Sequence, residues 1–428
     1  MSFELTPLAG TDDLFVPNYQ QNIYRVLPTA LRCMGVDIAR DDLFDQSNVL
    51  KHLKKNRALG AERVVVCIID SLGIQNVHGT KLEAFLRDLD VVTLSSTFPT
   101  ITSAAIPSIT FGVPPTTHGI LGHIVYFQEY GSLIDTLKMS GYKLRYRDAI
   151  PHAGIDVRVL LWTEGIPAIL HQTHPSLVVA EGLPREIPGT GLGRFYVQRE
   201  NIFSFNGFID AFGMARRVFD HFPDQQLFMT LYFPQIDSLT HKYGPNSLEY
   251  KAACNDFHRQ LRSFLECLPA SEAKHTTVIL CSDHGQTPLR EDQTIVLTQD
   301  QLAEVKGTLK VPPGHSGRVT HFYCQSASKR RKLKNWLLEQ VEDRALIFDE
   351  KDINQAQLLP VPCSKRITQR LGNLLLIARD GAQLRVERED NSGEQWGLLP
   401  NQGFLASHGS LTADELLTPF VAFNASKL

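Results

Sequence analysis

The sequence has no apolar stretch near the roughly eighteen residues that a membrane-crossing helix requires. Met1 to Arg25 is polar and acidic and lacks the apolar segment of a secretory signal peptide, so the expected location is the cytoplasm. Cysteine is sparse for a 428-residue chain: Cys33, Cys67, Cys254, Cys267, Cys281, Cys324 and Cys363 are scattered, odd in number, and never spaced as C-x-x-C. That argues against a disulfide framework and against a structural zinc–thiolate site. There is no surplus of positive charge either. The formal net charge of -3 leaves no basic footprint for duplex nucleic acid. Internal repeats and low-complexity tracts are also missing. What remains, at 43% hydrophobic and 21% charged residues, is an ordinary globular composition long enough to bury a large core.

Three short apolar runs organise the chain. Arg63-Val-Val-Val-Cys-Ile-Ile69 is β-branched and continuously apolar, the pattern of a strand buried on both faces in a parallel sheet. Thr276 to Cys281 and Gln226 to Phe233 repeat it. Helical periodicity lies between them, with Phe208, Phe212, Ala215, Phe219 and Phe222 on one face and Phe257, Leu261, Phe264 and Leu268 on another. Residues 19 to 58 also read as helical. Strands alternating with helices predict an α/β fold with a mainly parallel sheet, in which ligands gather at the carboxyl ends of the strands. From about 311 to 383 the pattern changes to β-like runs (Val319 to Tyr323, Leu374 to Ala378) around a basic helix (Ser328 to Val341), which reads as a small α+β insertion or cap. The expected division is a helical segment at 1–58 packing on the core, a core at 59–310 and 384–428, and the insertion at 311–383.

Each apolar run ends at or near an aspartate. Asp70 follows the first, Asp237 the second, and Ser282-Asp-His-Gly285 the third. Asp237 and His241 are four residues apart, which on a helical turn places both on one face as half of a metal site. The quick ending at Lys242-Tyr-Gly-Pro245 favours a loop instead. Asp283 and His284 cannot both point into the core, so a strand-end pair facing a crevice competes with an N-cap and a neighbouring exposed histidine. Asp70 alone suits an N-cap. Thr97 to Gly112 is rich in hydroxyls, with a helix starting near Thr102, and a hydroxyl there sits where backbone N–H groups favour an anion. A simple cap is the competing reading. His408, in Ala406-Ser-His-Gly-Ser410, would in isolation read as a loop histidine facing solvent. His315 and His321 read as a loop and a strand histidine, and Lys329 to Lys332 as a solvated helix face.

Taken in order, Ile69-Asp-Ser-Leu72, Phe98-Pro-Thr-Ile-Thr102, Thr117-His-Gly-Ile-Leu-Gly122, Asp237-x-x-x-His241, Ser282-Asp-His-Gly285 and Ser407-His-Gly409 resemble the alkaline phosphatase superfamily, in its type I phosphodiesterase/nucleotide pyrophosphatase branch. The resemblance covers roughly residues 60 to 290 and the last thirty. It implies a three-layer sandwich with a mainly parallel central sheet and two divalent metals, usually zinc, with manganese an alternative. One metal would be held by Asp237, His241 and His408, the other by Asp70, Asp283 and His284. Thr102 would be the nucleophile beside the second metal, forming a phosphothreonine that water then hydrolyses. His118 would be structural support. The implied substrate is a small phosphoric ester, with a diester favoured over a monoester or phosphonate.

The sequence departs from that pattern at three positions. Ala105 stands where the family has a phosphate-binding Asn, Ile101 where it has Lys before the nucleophile, and Ser71 where it has Gly after the first Asp. Ser71 or an arginine of the insertion is a candidate replacement donor. Ser71, Thr100 and Ser103 are secondary candidates for nucleophile. A phosphomutase, or a binding or regulatory protein that keeps the fold without turnover, are the alternatives. Retention of all six ligand-type residues argues against the latter.

Overall fold

A computed structural model describes residues 3–142, 144, 146–191, 193, 201–386 and 403–427. Its centre is a seven-stranded sheet in the order Val92–Ser95, Leu417–Asn424, Thr276–Cys281, Arg63–Ile69, Leu227–Phe233, Val178–Pro184, Ile202–Phe205. The strands from Thr276 to Ile202 pair in parallel, and Leu417–Asn424 runs antiparallel to both its neighbours. The Arg63–Ile69 strand is buried at every residue, as its unbroken apolar run requires.

Alternation along that strand builds two cores. Val64, Val66 and Ile68 join Ile106 and Ile109 of the Thr102–Phe111 helix in one apolar cluster. Val65, Cys67 and Ile69 join Phe212, Phe219, Phe257 and Phe264 in the other. These phenylalanines come from the helices Phe208–His221 and Leu248–Glu266, whose apolar faces have helical spacing. Helices therefore cover both sheet faces, giving the alkaline-phosphatase-like three-layer sandwich that the resemblance implies.

Residues 19 to 58 are less regular than their pattern suggests. Helix is confined to Val26–Cys33 and Ser47–Lys55, with a 3-10 turn at Ile23–Arg25. Gly35 and Ala39 adopt positive φ between the two helices, and this breaks the run.

A second seven-stranded sheet is antiparallel throughout, in the order Ala345–Asp349, Leu374–Ala378, Val319–Phe322, Gly314–Ser316, Ile124–Phe127, Ser132–Asp135, Ser140–Gly141. Residues 314–378 supply four strands and residues 124–141 the other three, so the 311–383 stretch does not make a sheet of its own.

This sheet reaches back to the segment around His408. Gly317 and Gly409 face each other across a backbone contact in which Arg318 N donates to His408 O at 2.9 Å. A Cβ on Gly317 would lie 1.9 Å from His408 O, and one on Gly409 2.0 Å from Ser316 O. Both have positive φ, so only glycine fits. Beside them Arg318 and Glu415 form an ion pair at 2.6 Å with both side chains fully buried. Glu415 also accepts from Ser410 N, Thr412 N and Thr412 Oγ1. Among the described residues no helix is long and apolar enough to cross a membrane.

The buried pair gives a stability test. Arg318→Met leaves Glu415 charged in the interior and should cost about 3–5 kcal/mol in denaturant unfolding, and adding Glu415→Leu should recover much of that. A loss below about 0.5 kcal/mol for the single variant would show that the pair does not hold the segment.

Candidate active site

Asp70 and Asp283 leave adjacent parallel strands at the same level, since Cys281 pairs with Ile68 in the register. The turns that carry them interlock. Ser71 N donates to Asp283 Oδ1 at 3.1 Å and Leu72 N to Ser282 Oγ at 2.9 Å. Gly73 and Gly285 allow the backbones to touch, because a Cβ on Gly285 would lie 2.7 Å from Gly73 Cα and 2.1 Å from Asp414 O. No helix starts at Asp70, so the N-cap alternative does not apply there. Asp237 and His241 lie on a nine-residue helix, Gln235–Tyr243, and not in a loop. Gly244 ends the helix, but only after the Asp–His turn is complete.

Two ligand-type groups form. His241 Nε2 lies 3.3 Å and His408 Nε2 3.5 Å from Asp237 Oδ1, and the two Nε2 atoms are 3.1 Å apart. His284 Nε2 lies 3.2 Å from Asp283 Oδ2, 3.7 Å from Asp70 Oδ1 and 3.1 Å from Thr102 Oγ1. The rings of His284 and His408 stack with centroids 3.8 Å apart, which sets the groups side by side. The structure thus brings together all seven residues singled out from the sequence. Each triad meets the spacing required of three groups that share one metal ion.

The hydrogen-bond pattern decides what fits between them. Each histidine directs Nδ1 at a backbone carbonyl: His241 at Ala406 O (2.9 Å), His408 at Thr100 O (2.9 Å) and His284 at Gly285 O (3.2 Å). A carbonyl only accepts, so Nδ1 carries the proton and a neutral ring turns a lone pair on Nε2 inward. Asp283 Oδ1 is occupied by Ser71 N and His284 N, and Asp70 Oδ2 by the Tyr232 hydroxyl. Their other oxygens, Asp283 Oδ2 and Asp70 Oδ1, are buried without a hydrogen-bond partner among the described residues. Lone pairs therefore face one another at about the 3.3–3.4 Å edge of a tetrahedron built on metal–ligand bonds of about 2.0–2.1 Å. The residues fit divalent cations.

In the protein alone the electrostatics are mixed: burial opposes charge on His241, but Asp237 beside it prevails and raises it. Burial, then the charges of Asp283 and Asp237, push the Asp70 carboxyl well above its usual range. Asp283 is also raised, chiefly by burial. Burial opposes charge on Asp237 too, but His241 beside it prevails and holds it low. His408 falls well below its usual value through burial and the neighbouring His284 and His241.

Other named residues have quieter roles. His118 is buried between Ser108 Oγ (3.0 Å) and Ile120 N (3.1 Å), and burial pushes it down to about 3, so it braces the turn as a neutral ring. Thr100 Oγ1 is committed to Ser410 O and Gly409 N. His321 bonds to Ser316 Oγ and Leu371 O. Ser71 adopts φ +65, which explains why a glycine suits that position. Ala105 is buried in the apolar cluster. The sequence reading missed three partners: Tyr232, Gln286, whose Nε2 donates to Asp237 Oδ1 at 2.6 Å, and Phe404, which stacks on His241 at 4.5 Å. Tyr232 was detectable as a hydroxyl-bearing residue within an apolar strand.

An α/β sandwich with acid–histidine groups at the carboxyl ends of its parallel strands defines the class: this is an alkaline-phosphatase-like fold with a candidate metal centre. The model of the type I phosphodiesterase/nucleotide pyrophosphatase family matches residues 64–411, and the chain belongs to that family. Membership supports a phosphoester hydrolase. No curated protein matches the sequence. Among solved structures, murine and human ectonucleotide pyrophosphatase/phosphodiesterase 5 each superpose with a TM-score of 0.61 at 16% identity, covering 84% of this chain and 87% of theirs. Phosphonoacetate hydrolase from Sinorhizobium meliloti 1021, in complex with phosphonoformate, gives a TM-score of 0.55 at 16% identity, covering 84% and 89%. At that identity these likenesses speak for the fold.

Metal removal has a pH signature. Asp70 and Asp283, raised in the metal-free fold, lower its stability as pH climbs above the ordinary aspartate value of 3.8 toward their folded values. The lowered Asp237 does the reverse, losing its contribution as pH falls below 3.8. Bound cations require the deprotonated forms. The melting temperature should therefore drop on chelation by about 5 °C or more at pH 8, and by less at pH 5. Equal melting temperatures with and without chelator at pH 8 would contradict a metal centre.

Proposed function

We propose that the protein is a two-metal phosphodiesterase acting through a phosphothreonine on Thr102. The observation that carries this reading is the set of inward-facing lone pairs on Asp70, Asp283, His284, Asp237, His241 and His408, with Thr102 Oγ1 at 3.1 Å from His284 Nε2. Divalent ions held there, zinc first and manganese second, would lower the pKa of the Thr102 hydroxyl and neutralise charge on the oxygens that enter and leave.

The chain's own groups supply the rest. Thr102 is the first residue of the Thr102–Phe111 helix, so its N–H and that of Ser103 have no carbonyl one turn back to bond. These donors and the helix dipole suit a phosphoryl oxygen and offset the absent Asn at Ala105. Thr102 Oγ1 releases its proton to solvent and attacks phosphorus, the bond to the leaving oxygen breaks, and the leaving alkoxide departs on the side of Asp237, His241 and His408 and takes a proton from water. Water then cleaves the Oγ1–P bond. Tyr232 and Gln286 keep Asp70 and Asp237 in orientation. A diester is favoured over a monoester because the family to which the chain belongs is one of type I phosphodiesterases.

Thr102→Ala should reduce hydrolysis of bis-p-nitrophenyl phosphate by about 10³-fold or more. Acid-quenched wild-type enzyme should yield a phosphorylated peptide containing Thr102 by mass spectrometry. An unchanged rate in Thr102→Ala, or a phosphoryl group on Ser103 or Ser71, would overturn the assignment.

A further inference from the structure

Behind Thr102 the sheet and the Thr102–Phe111 helix leave a cavity of about 80 Å³. Ile68, Ile106 and Leu183 make apolar walls, and Thr102 and Tyr232 form part of the lining. Two charged residues line it as well, Glu181 and Arg147. Glu181 pairs with Thr230 in the strand register, so its side chain leaves the sheet on the Thr230 and Tyr232 side, in a layer otherwise suited to apolar groups. It is only 6% exposed, and its Oε2 is buried without a hydrogen-bond partner among the described residues. Burial pushes this carboxyl up to about 8. A leucine there would give a more stable protein, because an unpaired buried carboxyl is costly. A bound group that completes the hydrogen bonding accounts for the residue.

The chemistry of that group follows from the lining. A buried carboxyl calls for a donor, best a cationic one, and the apolar walls suit a short alkyl stem. Arg147, exposed and bonded through Nη2 to Leu137 O at 3.1 Å, adds positive charge that suits a phosphoryl group. The lining includes none of Asp237, His241 and His408, so the cavity lies away from the leaving oxygen's path. We infer that this cavity receives the substituent that phosphorus retains, and that Glu181 selects a short alkyl group ending in an ammonium. The inference rests on the hydrolase reading above and narrows its substrate class to phosphodiesters with an aminoalkyl ester group.

The test compares 2-aminoethyl, 2-hydroxyethyl and ethyl p-nitrophenyl phosphates, in which nitrophenolate leaves and the small group is retained. The metal-loaded wild type should prefer the aminoethyl ester over both others by at least about tenfold in kcat/KM. Glu181→Gln should lose that preference. Calorimetric binding of 2-aminoethyl phosphate against ethyl phosphate should show the same pattern, and Glu181→Leu should melt no lower than wild type. Hydrolysis of all three esters without preference would overturn the inference and leave the hydrolase reading standing. Glu181-dependent binding of 2-aminoethyl phosphate without any turnover would uphold the cavity and overturn the hydrolase. Preference retained in Glu181→Gln, or a clearly lower melting temperature for Glu181→Leu, would make Glu181 a structural residue.

Discussion

Asp70 and Asp283 stand at the ends of neighbouring parallel strands, out of water, each with one oxygen satisfied by the protein and one aimed at His284 Nε2 without a donor. Two such carboxylates repel each other, and burial deepens the cost. A metal-free interior would tolerate them only by holding on to protons. The surrounding structure is arranged to keep them in place all the same. Gly73 and Gly285 let the two turns interlock, backbone N–H groups fix one oxygen of Asp283, and Tyr232 fixes one of Asp70. A bound cation would convert this repulsion into attraction, and the proposed chemistry of the site depends on that exchange.

The second sheet contributes by positioning. His408 comes from a segment distant in sequence from the strand ends, and it is held by backbone pairing to Thr100 on one side and to the Ser316–Arg318 turn on the other. Arg318 and Glu415 lock that turn to the segment after His408. The stretch that reads as an insertion is thus connected to the position of His408. Thr102 is placed differently, at the start of a helix whose far side is core, so its position is set by packing and its backbone donors remain free.

The parallel sheet was legible because its strands are buried on both faces and so read as unbroken apolar runs. The two phenylalanine-rich helices were legible from their spacing. The candidate ligand residues were legible only jointly: Asp70 alone looked like a cap and His408 like an exposed loop histidine, since proximity across 338 residues leaves no local mark. Short-range signals also misled where two effects compete. Gly244 suggested a loop around Asp237 and His241, although a helix can finish its turn before a terminating glycine. Positive-φ residues broke up the helical pattern before residue 58. Tyr232, Gln286 and Glu181 escaped notice because each sits in or beside an apolar run, where only the register reveals which way a polar tip points.

Metal stoichiometry tests the account most directly. Elemental analysis of protein purified with zinc and freed of excess should give two ions per chain. Asp70→Asn with Asp283→Asn should leave one, and Asp237→Asn with His408→Ala should also leave one. Protein that is folded by circular dichroism yet retains no stoichiometric metal, or whose metal content is indifferent to both pairs of substitutions, would contradict it.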